Sequence, residues 1–76
     1  MPLTEIELNV LQNLVKKGGT GNVMEFLDYT QDEFDRGFEF ANNLQNQDLV
    51  KLLYSNFNKS LIVVELTLLG TQAGNG

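Results

Sequence analysis

The chain has 76 residues, with five Lys or Arg against ten Asp or Glu, a net charge of −5, and neither cysteine nor histidine. Without cysteine there are no disulfide staples or thiolate metal centres, and without histidine the commonest metal ligand and general base are missing. The acidic balance works against loose attraction to nucleic acid or anionic lipid.

One domain over residues 1–76 is expected, at a size where only roughly 60–65% of the unfolded chain's surface is buried, so the core must hold by packing alone. Thr4 and Glu7 have capping-box spacing, and Leu3 and Leu8 sit where a hydrophobic staple closes, so a helix should start after Thr4. Ile6, Val10, Leu11, Leu14 and Val15 repeat at helical intervals until Lys16-Lys17-Gly18-Gly19, which predicts a first helix over 5–17. Thr20-Gly21-Asn22 offers cap chemistry for a short apolar helix through Val23, Met24, Phe26 and Leu27.

Thr30 and Glu33 repeat the capping pattern, and Phe34, Phe38, Ala41 and Leu44 then step along one face of a third helix over 31–46. Gly37 lies on that face and predicts close approach of a neighbouring helix. Val50–Tyr54 and Ser60–Leu66 flank the turn cluster Asn56-Phe57-Asn58-Lys59 and read as a β-hairpin. Thr67 should cap one short helical turn, with residues 72–76 fraying. The expected core is Ile6, Val10, Leu11, Leu14, Phe26, Leu27, Phe34, Phe38, Ala41, Leu44, Leu49 and Leu66.

The expected class is therefore α+β, mainly α: three helices, a hairpin and a short C-terminal helical turn. "LQNQDLVKLL" followed by "SLIVVELTLLGTQAG" resembles the L-x-x-x-G-L-V … L-T-x-x-G ending of MarR-like bacterial winged helix-turn-helix regulators. The resemblance implies a DNA-binding transcription regulator. In it residues 31–46 would be the recognition helix, 50–66 would carry the wing, and Thr67 with Gly70 would open a terminal helix that often dimerises. Asp48 stands where that family usually has glycine.

Charge pulls the other way. Asp32, Glu33, Asp35 and Glu39 oppose only Arg36 within 31–46, whereas DNA binders often neutralise about 6–10 phosphates. The chain's cations are Lys16, Lys17, Arg36, Lys51 and Lys59, so a single copy should bind DNA poorly, while a two-fold dimer doubles the supply. On the double-stranded DNA reading, Arg36, Asn42, Asn43, Lys51 and Lys59 make the contacts. The alternative is an acidic winged helix that binds another protein through Asp32, Glu33, Asp35 and Glu39, with Phe40 and Phe57 as apolar contacts. The plainer reading of those two aromatics is that Phe40 covers the core edge and Phe57 folds back on the wing.

No enzyme, cofactor or metal is expected. Ser55 and Ser60 have no histidine partner. The twelve residues Asp28 to Glu39 place Glu33 where a calcium loop needs glycine, and Lys17-Gly18-Gly19-Thr20-Gly21 lacks phosphate-loop spacing. The start Met1-Pro2-Leu3-Thr4-Glu5 is not a signal peptide, and the most apolar stretch, Leu61 to Leu69, is short and carries Glu65, so a cytoplasmic protein with no membrane span is expected.

Overall fold

The computed structural model describes residues 3–56 and 58–75. Helix α1 (Glu5–Lys16) opens with the expected capping box: the Glu7 N–H donates to Thr4 Oγ1 at 3.1 Å and the Thr4 N–H donates to Glu7 Oε1 at 2.9 Å. It stops at two left-handed glycines, Gly18 and Gly19, and the Gly19 N–H donates back to the Leu14 carbonyl at 2.7 Å. The chain then forms a strand that the sequence reading missed, β1 (Thr20–Asn22), before turning into α2 (Val23–Leu27). Three residues are too few to show a period of two.

A tight 3-10 turn (Gln31–Glu33) leads into α3 (Phe34–Asn46), so the expected helix over 31–46 is present with a 3-10 first turn. Glu33 accepts from both the N–H and the hydroxyl of Thr30. On α3 the buried face is Gly37, Ala41 and Leu44. At Gly37 an added Cβ would stand 2.7 Å from Met24 Sδ and 3.3 Å from Ile62 Cδ1, which is the close approach of α2 that its position predicted.

Strands β2 (Val50–Ser55) and β3 (Ile62–Leu66) form the hairpin, and β3 is central in an antiparallel sheet of order β1-β3-β2. A bulge between Leu52 and Tyr54 places Tyr54 opposite Val63. The last element, α4 (Leu68–Asn75), corrects the expectation of one turn with a frayed end. It persists because Gly70 and Gly74, lacking side chains, let it lie against the Leu49 backbone and against Leu11 and Val15. The element order and sheet order make a small α+β fold consistent with a winged-helix-like topology.

The core gathers Val10, Leu11, Leu14, Val23, Met24, Ala41, Leu44, Leu49, Val50, Ile62 and Val64, with Phe26, Leu27, Phe34, Phe38 and Leu66 half-buried around it. Ile6 is not in it: the apolar layer beneath α1 begins one turn later, at Val10, and Ile6 is 57% exposed. Val23, Met24, Val50, Ile62 and Val64 were not expected in the core, because neither a two-turn helix nor a continuous apolar run chooses its buried face until the packing partner and pairing register are known.

Candidate functional site

The fold sets α3 beside the hairpin, and particular side chains fasten the two. Gln31 Nε2 donates to the Asn58 carbonyl at 2.6 Å, tying the start of α3 to the hairpin tip. At the other end Gln45 Oε1 accepts from the Leu52 N–H at 2.8 Å, so the outer edge of β2 is satisfied by α3 there. Asn22 braces the third side: its Oδ1 accepts from the N–H groups of Met24 at 3.1 Å and Ile62 at 2.9 Å, and its Nδ2 donates to the Ser60 carbonyl at 3.1 Å. The sequence suggested only the cap on α2.

Across this braced surface α3 and the 3-10 turn before it present an exposed polar stripe. Asp32, Asp35, Glu39, Asn42 and Asn46 step by three, four, three and four, and all are exposed. Helix polarity favours Asp32, Glu33 and Asp35, which lie at its start. Glu39 has no such support, and with Asp35 four residues before it forms a like-charge pair that costs about 0.2–0.5 kcal/mol.

Arg36 lies on the flank of the stripe that faces α2, and it is engaged. Its guanidinium is 3.6 Å from Glu33 Oε2 and 5.5 Å from the centre of the Tyr29 ring. A shallow groove there is lined by Tyr29, Arg36, Glu39, Phe40 and Asn43. Phe40 is half-buried and packs on the core. On the opposite flank Phe34 and Phe38 stack with ring centres 6.2 Å apart, and a polar groove is bordered by Gln31, Asp32, Phe34, Asp35, Asn58 and Lys59.

The sequence-predicted residues therefore divide. Arg36, Glu39, Phe40 and Asn43 meet on one flank, and Asp32, Asp35 and Lys59 on the other, with Asn42 between them on the stripe. Lys51 is apart from both: it sits on β2 opposite Glu65. Phe57 lies outside the described residues. Among the described residues the ion pairs are Lys17–Glu25 and Arg36–Glu33, leaving Asp32, Asp35 and Glu39 without a cation within 4.0 Å. No group of three or more potential metal-binding side chains is found among the described residues. No helix among them is long and apolar enough to cross a membrane.

The segment Asp48-Leu49-Val50 and the segment Leu66-Thr67 to Gly70 meet in the structure. Thr67 Oγ1 donates to the Asp48 carbonyl at 2.5 Å and accepts from the Gly70 N–H at 3.0 Å, while the Thr67 N–H donates to the Leu49 carbonyl at 3.1 Å. Asp48 adopts φ 63°, the left-handed conformation that a glycine would take without strain. The two segments thus clasp the end of α3 to the start of α4. Comparison with known protein families, with curated proteins and with solved structures finds no match for this chain.

Proposed function

We propose that this chain is a winged-helix interaction module whose third helix and wing dock a basic segment of another protein. The observation that carries this reading is the exposed stripe of Asp32, Asp35 and Glu39, to which no cation is paired among the described residues, beside an arginine already held by Glu33 and Tyr29. A basic partner would supply the missing counter-charges and relieve the Asp35–Glu39 repulsion. Phe34 and Phe38 along the wing flank offer apolar surface for the partner's side-chain stems. Exposed ion pairs contribute modestly one by one, so affinity on this surface comes from several acting together.

A second reading, DNA binding in the manner of the MarR-like regulators that the chain resembles, is supported by a different observation. Arg36 on one flank and Lys59 on the other bracket Asn42 and Asn43, an arrangement in which cations meet phosphates and amides meet adenine edges. Against it, duplex DNA would bring its phosphates onto the acidic stripe.

Fluorescence anisotropy separates the two, with a labelled Lys/Arg-rich peptide and a labelled random duplex titrated at low and moderate salt. The protein-docking reading predicts peptide binding that weakens roughly tenfold in an Asp35→Asn/Glu39→Gln variant, with no response from the duplex. Duplex binding at low salt that is lost with Arg36→Ala or Lys59→Ala would overturn it in favour of DNA.

A further inference from the structure

The groove between the start of α3 and the tip of the hairpin, about 480 Å³ in volume, has walls of opposite charge. Asp32 and Asp35 stand on the helix side and Lys59 on the hairpin side, and all three are exposed. None of them has an opposite charge within 4.0 Å among the described residues. The order of signs is set by the hydrogen bond from Gln31 Nε2 to the Asn58 carbonyl, which holds the hairpin tip against the 3-10 turn that opens the helix. From Glu39 back through Asp35 to Asp32 the surface is negative, and at the Gln31 end it turns positive at Lys59.

The root of the Lys59 side chain is fixed. Its φ of 57° lies in the left-handed region, where glycine or asparagine sits with less strain. Asn56 stitches the turn that imposes this conformation: its Oδ1 accepts from the Ser60 and Leu61 N–H groups, both at 3.0 Å, and its carbonyl accepts from the Lys59 N–H at 3.2 Å. A lysine is thus kept on a backbone that favours other residues.

From this arrangement we infer that the segment docking here is bipolar, with cations at alternate positions that meet Glu39, Asp35 and Asp32, followed by a carboxylate that meets Lys59. The inference rests on the protein-docking reading and narrows it. An extended segment fits the spacing: its alternate residues lie about 6.6 Å apart, against about 6 Å between residues four apart on a helix, such as Asp35 and Glu39. Phe34, half-buried in the groove wall, gives the partner's side-chain stems an apolar bed. A purely basic segment would set one of its cations against Lys59, and like charges placed opposite each other select against it.

Fluorescence anisotropy with three labelled, amidated peptides tests it: Arg-Ala-Arg-Ala-Arg-Ala-Glu, its isomer Arg-Ala-Glu-Ala-Arg-Ala-Arg, and the all-basic Arg-Ala-Arg-Ala-Arg-Ala-Arg. In either direction the isomer sets a carboxylate against α3 and an arginine against Lys59, so the wild type should bind the first peptide roughly fivefold more tightly than the isomer. Lys59→Asn, which suits the left-handed backbone, should weaken the first peptide roughly threefold while tightening the all-basic one. The opposite signs are diagnostic, because both peptides are net positive and loss of a lysine from an acidic chain would, by long-range attraction alone, tighten both. Tightening of both, or equal affinity for the two isomers, would overturn the inference. In that event the docking reading still stands if the all-basic peptide loses affinity with Asp35→Asn/Glu39→Gln. Failure of every peptide to bind the wild type overturns the two together.

Discussion

Replacing Gly70 by alanine should be among the most damaging single-methyl changes in this molecule. The new Cβ would stand 1.8 Å from the Leu49 carbonyl oxygen and 2.8 Å from its carbon, and both are backbone atoms that cannot rotate away. Restoring ordinary contact requires α4 to move more than about 1 Å from the start of β2, an overpacking cost of about 1–3 kcal/mol. That displacement stretches the bonds Thr67 makes to Leu49 and Asp48, each contributing about 0.5–1.5 kcal/mol. Better helix propensity returns about 0.5–1 kcal/mol. The net loss is about 2–4 kcal/mol, which in a domain of this size lowers the melting temperature by roughly 10–25 °C. Urea and thermal denaturation followed by circular dichroism at low protein concentration would read it. Gly37→Ala is the control: its Cβ would meet chiefly Met24 Sδ, on a flexible side chain, and should cost no more than about 1 kcal/mol. If Gly70→Ala melts with the wild type, or Gly37→Ala proves the worse, the tight seating of α4 is refuted.

Asn22→Ala removes the cap of α2 and leaves the Ile62 N–H and Ser60 carbonyl without their partner, so urea denaturation should show a loss of about 2–4 kcal/mol. Asp48→Gly relieves a left-handed backbone and removes a carboxylate beside the C-terminus of α3; the same assay should show a gain of about 0.5–1 kcal/mol. Glu7 is held below the ordinary glutamate range, chiefly by the Thr4 N–H, against a smaller opposing effect of burial, with the Gln47 and Thr4 side chains adding to the lowering. A carboxyl depressed on folding stabilises the native state above its unfolded pKa and loses that contribution as pH falls through the folded value. Denaturation between pH 3 and 7 should therefore show the wild type exceeding Glu7→Gln by a constant margin above about pH 5, and the margin closing in acid.

Much of the fold was legible because local rules and global packing agree in it. The capping pairs Thr4–Glu7 and Thr30–Glu33, the Gly18-Gly19 stop and the apolar stepping of α3 each act over a few residues. Features set by distant partners were not legible. β1 exists because Thr20 to Asn22 find β3 more than forty residues away, and Ile6 is exposed because the layer beneath α1 starts only at Val10. The acidity of α3 was readable from its residues, but the engagement of Arg36 by Tyr29 was not, since Tyr29 belongs to the turn before the helix and its distance depends on the path between α2 and α3. The outward leucines of α4 were equally hidden, because apolar residues in a sequence are expected to face in, and only Gly70 and Gly74 against the neighbouring backbone fix which side of this helix does so.

The central claim is that the exposed carboxylates of α3, with the adjoining wing, receive a basic partner. Amide chemical-shift mapping on the isotope-labelled chain, during titration with a Lys/Arg-rich peptide, tests it most directly. The account predicts saturable shifts centred on Asp32, Asp35, Glu39 and the tip residues Asn58 and Lys59, abolished by Asp35→Asn/Glu39→Gln. Shifts spread evenly over all acidic residues, Glu5, Glu25 and Glu65 included, or none at peptide excess, would contradict it.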